Sequence, residues 1–319
     1  IDGLFGDDSG VFDIKSVKAP NLIQLTLTLT NTDYDKDELT EESNYDLEAI
    51  AKDDKSSSNI DVKKVDVDGK TVTLTLTEPI KNETTGTLTI DEGITGKELV
   101  FKDIKFSDHD IPTIKDVSVI GKDTVKFIFS EPIDDLANAD DEFDFDLDGK
   151  SYSVKKVTPI KNGFEANVQV YSSFKEGTLT VKVGNGLEDY AGFNIIPKTF
   201  KVDVVPDTDA PVVTGYKDAK NKEVTLIFNE DIQFESKKAE DYYHTNSKNT
   251  VDSGSLKDNQ SNPDDNSIDG NELKLSFSDN EMPDGIAYVY IDSGSVSDLW
   301  GNENNSIRAK IEIDVDNVK

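Results

Sequence analysis

The sequence predicts an all-β chain of three tandem β-sandwiches, and three observations carry that prediction. The first is a recurring segment. Asp108-His109-Asp110-Ile111-Pro112 leads into a stretch ending Phe129-Ser130-Glu131, and Asp207-Thr208-Asp209-Ala210-Pro211 leads into one ending Phe228-Asn229-Glu230. Asp207, Asp209, Pro211 and Glu230 each follow their counterparts by 99 residues. A period of about 100 residues with strand signals inside it indicates tandem β modules. The second is period-two alternation of β-branched or aromatic residues with polar ones, which gives a strand one buried and one wet face. The third is turn chemistry between the alternating runs, at Asp68-Gly69, Asp148-Gly149, Asn162-Gly163 and Asp269-Gly270, dipeptides that tolerate positive φ.

The elements follow in order. In the first module, Leu22–Leu29, Thr71–Leu76 and Gly86–Ile90 alternate apolar residues with Thr. The second offers Thr124–Phe129, Glu165–Val170 and Gly177–Val183, and the third Glu223–Phe228, Glu272–Phe277 and Gly285–Ile291. One short helix per module is expected after its first long strand, at Leu39–Ala51, Leu136–Asp141 and Phe234–Tyr243. The first of these has a Thr cap and acids in its opening turn. Ser247–Asp269 is polar and without apolar period, so it reads as an extended surface loop. The acidic, Pro-containing linkers set the boundaries at 1–107, 108–206 and 207–319.

Composition excludes whole classes of function. Asp and Glu number 65 against 34 Lys and Arg, a net charge of −31, so nucleic acid, which needs a basic surface, is not an expected partner. Arg308 is the only arginine, which leaves little scope for bidentate anion recognition. The chain has no Cys, hence no disulfide framework and no thiol chemistry, and modules of about 100 residues bury enough apolar surface without one. No apolar run approaches the roughly 20 residues of a membrane span. The chain opens at Ile1 without a Met or a signal-like segment, so a fragment of a longer protein is expected, with any anchor outside it.

The run Val117-Ser118-Val119-Ile120-Gly121-Lys122-Asp123-Thr124-Val125-Lys126-Phe127-Ile128-Phe129-Ser130-Glu131-Pro132-Ile133-Asp134 resembles the opening of the SbsA-type Ig-like modules of Gram-positive bacterial S-layer proteins. There an alternating strand ends in Phe-x-Glu-Pro-Val/Ile. Leu187-Glu188-Asp189-Tyr190-Ala191-Gly192-Phe193-Asn194 and Val296-Ser297-Asp298-Leu299-Trp300-Gly301-Asn302 are similar to that family's turn before the final strand. The resemblance covers nearly all of modules two and three and weakens in the first, where the corresponding strand ends Thr30-Asn31-Thr32-Asp33. It implies tandem Ig-like sandwiches, secretion to the bacterial cell surface, attachment to a cell-wall polymer through segments absent here, and calcium-dependent self-association into a two-dimensional lattice. An adhesin stalk, or an accessory region of a wall-associated protein, is the alternative.

The candidate metal ligands are the linker acids and the glutamates that end the next strand. Ca²⁺ takes six to eight oxygens, and carboxylates about 4 Å apart repel by up to about 4 kcal/mol at an effective dielectric of 20 until a cation reverses the sign. Asp108, Asp110 and Glu131 are expected at one junction, Asp207, Asp209 and Glu230 at the next, and Asp7 and Asp8 at half of a third. Against this stands the simpler reading of Asp-x-Asp-x-Pro as a solvated turn. Asp189 and Asp298 are expected to accept backbone N–H bonds in tight turns rather than to bind metal, and Trp300 to plug a core or a module contact. His109 and His244 are too few for a histidine zinc site. Asp144-Phe145-Asp146-Leu147-Asp148-Gly149 opens like an EF-hand but has Lys155 at the twelfth position, where the loop needs Glu. Its alternating aromatics read as a strand entering a hairpin. No catalytic motif of nucleophile, zinc or phosphate-loop type is present, and no enzymatic role is expected.

Overall fold

Alternation becomes architecture as expected: the chain is all-β, with three successive pairs of antiparallel sheets. The computed structural model describes residues 12–51, 58–245, 251–255, 266–277 and 281–313. Asp7 and Asp8 lie outside the described residues. The chain divides into two compact units, one of residues 1–113, 131–134 and 185–196, the other of residues 114–130, 135–184 and 197–319.

In the first unit, one sheet runs Ile14–Lys18, Gln24–Leu29, Thr71–Leu76, Val62–Asp68, and the second Ser58–Ile60, Tyr45–Ala51, Thr84–Ile90, Leu99–Phe106. Leu25, Leu27, Leu74 and Leu76 from one sheet meet Leu47, Leu88, Ile90 and Phe106 from the other in a single core. Burying each such side chain contributes about 1.5–3 kcal/mol; on the opposite face Thr28 is exposed and Thr26 and Thr73 are half-buried, while Thr75 between Leu74 and Leu76 is buried. Asp91 caps the short helix Glu92–Thr95 by accepting from the Gly93 N–H at 2.8 Å. Gly96, at φ 73°, ends it.

The second unit carries the other two sheet pairs. In the first of them, Val154–Ile160, Glu165–Val170, Thr124–Phe129 and Ile114–Gly121 form one sheet, and Lys150–Tyr152, Phe143–Leu147, Gly177–Val183 and Lys198–Val204 the other. Phe127 on one sheet packs on Phe143 of the other at 4.8 Å between ring centroids. Phe143, Phe145 and Leu147 are buried in alternation and Asp148-Gly149 turns the chain with positive φ, so the EF-hand-like run is a strand and hairpin. The last pair joins Val213–Lys220, Glu223–Phe228, Glu272–Ser276, Ser267–Asp269 with Val251–Ser255, Tyr242–Thr245, Gly285–Ile291, Ile307–Ile313. A two-stranded ribbon, Ile232–Phe234 with Val296–Asp298, completes it.

Three local expectations are corrected. Leu39–Ala51 is not a helix: the helix spans Lys36–Thr40, and Tyr45–Ala51 is a strand paired residue for residue with Thr84–Ile90. Tyr45, Leu47 and Ala49 are buried while Asp46, Glu48 and Ile50 are exposed, so a period of two outweighed the capping signal. Leu136–Asp141 becomes two single 3-10 turns, Leu136–Asn138 and Asp140–Glu142, too short to present an apolar stripe. Phe234–Tyr243 holds the end of one strand, the turn Ala239–Asp241 and the start of another strand. Within the stretch read as a loop, Val251–Ser255 and Ser267–Asp269 are edge strands, while 247–250 and 256–265 lie outside the described residues. No described helix is long and apolar enough to cross a membrane.

Candidate metal centre

Two groups of three carboxylates stand out among the described residues: Asp108, Glu131 and Asp189, and Asp207, Glu230 and Asp298. In each group one oxygen per residue lies within 4.8 Å of the others. The first group belongs wholly to the first compact unit and the second wholly to the second.

The local sequence builds the first group from three stretches. Asp108 follows the Leu99–Phe106 strand, and Asn82 pins its backbone twice: its amide Nδ2 donates to the Asp108 carbonyl at 2.6 Å and its Oδ1 accepts the Asp108 N–H at 2.9 Å. Glu131 lies two residues beyond Phe129, the last residue of its strand, and the turn it opens is fixed by an N–H from Asp134 to the Glu188 carbonyl at 2.8 Å. Asp189 sits in a tight turn, 3% exposed, and its Oδ1 accepts the N–H groups of Ala191 at 2.8 Å and Phe193 at 2.9 Å. Its second oxygen, Oδ2, is buried and has no hydrogen-bond partner among the described residues. A buried carboxylate oxygen without a donor is a costly arrangement. Burial, then the charges of Asp108 and Asp189, push the Glu131 carboxyl up to about 7. Burial also raises Asp189, against its backbone hydrogen bonds.

The second group repeats the plan with more internal support. Asp298, fully buried, accepts on Oδ1 from Trp300 N at 2.9 Å, Gly301 N at 2.7 Å and Asn302 N at 2.7 Å. Its Oδ2 accepts from the Asn302 amide at 2.7 Å, and the same amide donates to the Asp207 carbonyl at 3.0 Å. Asn229 Nδ2 donates to Glu230 Oε1 at 3.0 Å. Burial, then the Asp298 charge, raises Glu230 above the ordinary carboxylate range.

The structure therefore brings together Asp108 with Glu131, and Asp207 with Glu230. Asp110 and Asp209 stay outside the two groups. Their backbone N–H groups instead donate to Asp108 Oδ1 at 3.2 Å and Asp207 Oδ1 at 2.9 Å, closing an Asp turn that orients the inner carboxylate. Asp189 and Asp298 accept the turn N–H groups as the sequence led one to expect, and also supply the third carboxylate of each group. A signal for that second role was present: each precedes a Gly by three residues before the last strand of its repeat. Trp300 is half-buried in the Asp298 turn. His109 is exposed and pairs with Glu83 at 2.9 Å, whereas His244 is buried edge-on against Phe277.

The donor set is three hard oxygens without nitrogen or sulfur, which fits Ca²⁺ or Mg²⁺ and not zinc. The orphaned Asp189 Oδ2 is the observation on which that fit rests. Asp108, Glu131 and Asp189 would hold such an ion at the first group, and Asp207, Glu230 and Asp298 at the second.

A family model described as a putative flagellar system-associated repeat matches residues 11–92. An outer cell wall protein of Brevibacillus brevis is 30% identical over 300 residues, covering 92% of this chain and 27% of that protein. A surface-layer 125 kDa protein of Lysinibacillus sphaericus is 30% identical over 288 residues, covering 88% of this chain and 22% of that protein. The chain thus spans about a quarter of the length of these relatives. Among solved structures, the N-terminal part of the bacterial S-layer protein SbsC aligns over 65% of this chain and 45% of its own at 17% identity, with a TM-score of 0.31, too low to carry an argument. The two sequence relatives bear out the resemblance to bacterial surface-layer proteins.

Proposed function

We propose, with kinship to bacterial surface-layer and outer-cell-wall proteins as the premise, that this chain is a structural segment of a cell-surface layer. Its sandwiches, taken as modules 1–107, 108–206 and 207–319, self-associate into a two-dimensional lattice outside the cell. Ca²⁺ at Asp108, Glu131 and Asp189, and again at Asp207, Glu230 and Asp298, holds the three stretches of each group in one geometry. The observation that carries the cation reading is the buried, unpartnered Oδ2 of Asp189 inside a group of three carboxylates.

The mechanism is electrostatic. Without a cation, three carboxylates within 4.8 Å of one another repel, and the upward shift of Glu131 registers that cost. A divalent ion turns repulsion into attraction. It ties the segment entering the strand (Asp108 or Asp207) to the strand end (Glu131 or Glu230) and to the late turn (Asp189 or Asp298). A lattice requires the same contact geometry in every copy, so fixing these three stretches favours assembly. The same premise supports a non-enzymatic role.

Electron microscopy and sedimentation of the chain in millimolar calcium and in chelator test this. Ordered sheets or large assemblies in calcium that dissolve in chelator are expected. Monomers under both conditions would favour a stalk that projects another domain. A calcium titration by calorimetry that gives no binding heat would remove the cation from the account.

A further inference from the structure

The outer face of one sheet in the third sandwich departs from its counterparts in the other two. The sheets that carry Tyr45–Ala51, Phe143–Leu147 and Tyr242–Thr245 have the same arrangement of strands, so their residues fall into corresponding cross-strand rows. One row reads Asp46, Thr89, Val100 in the first sandwich and Asp144, Lys182, Thr199 in the second. In the third it reads Tyr243, Tyr290, Arg308. Two residues back along the central strand, the first two sandwiches have Thr87 and Thr180, and the third has Tyr288.

Strand alternation points these side chains away from the core. Tyr242, Ala287, Val289, Ile291 and Ile311 are buried, whereas Tyr243, Tyr288 and Tyr290 are half-buried and Arg308 is exposed. The Tyr243 and Tyr290 rings stack with 5.0 Å between centroids and 5° between planes. The Arg308 guanidinium carbon lies 4.1 Å from the centre of the Tyr288 ring. Stacking uses the flat face of a guanidinium and leaves its N–H edge to grip a carboxylate at two points. No carboxylate pairs with Arg308 among the described residues. Lys310, the next outward residue on that strand, adds a second positive charge, 3.5 Å from Glu312. Two sister sheets fold with Asp, Thr, Lys or Val in these places, so the fold does not require three tyrosines and the one arginine of the chain there. Tyr and Arg are the residue types that concentrate binding energy in protein contacts.

We infer that the face formed by Tyr243, Tyr288, Tyr290 and Arg308 is a contact through which this chain docks on an acidic surface of a second copy. The inference rests on the self-association proposed above and names one of its contact faces. Charge complementarity selects the occupant. At a net charge of −31, two copies repel wherever their acidic surfaces meet. A patch led by Arg308 and Lys310 makes approach attractive, and the acidic surface of another copy is its complement. Because the basic face meets a different surface, each docked copy still offers its own basic face, and the contact repeats from copy to copy.

The test is sedimentation of the full chain in millimolar calcium over a range of protein concentrations. Tyr243→Asp, Tyr290→Lys and Arg308→Thr together install the row that the second sandwich already accommodates. The triple variant is expected to need about 30-fold more protein to assemble, and Arg308→Gln alone about fivefold more. Tyr171→Ser, at a tyrosine 72% exposed and outside this face, should assemble as the unmodified chain does. Circular dichroism reports whether each variant folds, and Arg308→Gln, a single exposed change, carries the test if the triple variant does not. Folded variants that assemble at the unmodified chain's concentration overturn this face and leave self-association standing. An unmodified chain that stays monomeric throughout overturns self-association and this face with it. Retention of that monomer on cell-wall polysaccharide, lost in the variants, would replace the second copy with a glycan as the occupant.

Discussion

The two carboxylate groups share a plan and differ in how much of their own charge they satisfy. In the second, Asn302 covers Asp298 Oδ2 and Asn229 covers Glu230 Oε1. In the first, Phe193 stands where Asn302 would be, and Asp189 Oδ2 has no donor. Repetition of a backbone plan thus need not repeat its energetics. One side chain, four residues past the buried aspartate, decides whether its second carboxylate oxygen is partnered by the protein. On the calcium reading proposed above, the first group is the more cation-dependent and the second the more self-supporting.

The largest expected effect tests the self-supporting side. Asp298 accepts four hydrogen bonds that define its turn, against two for Asp189. Hydrogen bonds to a charged group contribute about 1.5–3 kcal/mol each, though not additively. In chelator, Asp298→Ala is expected to lower stability by about 3 kcal/mol or more, and Asp189→Ala by clearly less, as read by urea unfolding. Equal losses would erase the distinction drawn here.

Exchanging the deciding residue comes next. Phe193→Asn should give the first group the donor it lacks, stabilise the chain in chelator, and weaken its calcium affinity about tenfold, the equivalent of 1.4 kcal/mol. Asn302→Ala should do the reverse at the second group, making stability there depend on calcium. Thermal unfolding with and without calcium reads both, since a ligand at 100 times its Kd adds about 2.7 kcal/mol. If Phe193→Asn leaves calcium-dependent stabilisation untouched, Asp189 Oδ2 is not a ligand.

How far these features could be read from the sequence follows from the same physics. Long central strands were legible to the residue, as at Thr124–Phe129, Glu165–Val170 and Gly177–Val183, because burial of one face over six or seven residues imposes strict alternation. Short edge strands such as Lys150–Tyr152 and Val251–Ser255 were not, since three to five residues pairing on one side leave little pattern. Tyr45–Ala51 was misread because a Thr followed by acids resembles a helix start, while the pairing with Thr84–Ile90 that overrides it lies beyond the reach of any local pattern. Asp108 and Glu131 were legible through their 99-residue recurrence. The part of Asp189 and Asp298 in the groups was signalled only by their shared three-residue spacing to Gly192 and Gly301, because one oxygen of each does ordinary turn work and hides the orientation of the other.

A pH series in chelator separates the groups by a smaller effect. The Glu131 carboxyl is raised from 4.5 to about 7 by burial and its neighbours. The folded state therefore holds this proton more tightly than the unfolded chain does. Its contribution to stability is fully present below about 4.5 and is lost as pH rises to about 7. Glu131→Gln should flatten that part of the stability curve, measured by urea midpoint against pH. Calcium affinity should run the opposite way and strengthen as pH rises through the same window, since proton and cation compete for one carboxylate. Glu230 is raised in the same direction with an opposing hydrogen bond from Asn229, so Glu230→Gln should flatten the curve less.

The smallest effect concerns the linker residue between the paired aspartates, His109 in the first repeat and Thr208 in the second. His109 is the only ionisable side chain that distinguishes the two Asp-x-Asp segments, and is thus the obvious rival explanation for any difference between the groups. Its ring is 68% exposed and its contacts, to Glu83 at 2.9 Å and Ser107 at 3.0 Å, lie on the surface. Exposed ion pairs contribute about 0.2–1 kcal/mol. His109→Thr makes the first linker match the second at this position and should shift stability by no more than about 0.5 kcal/mol, with calcium affinity unchanged. Since the substitution leaves Asp189 Oδ2 as it was, a large loss of calcium binding in His109→Thr would move the origin of the asymmetry from the buried carboxylate to the solvent-facing linker.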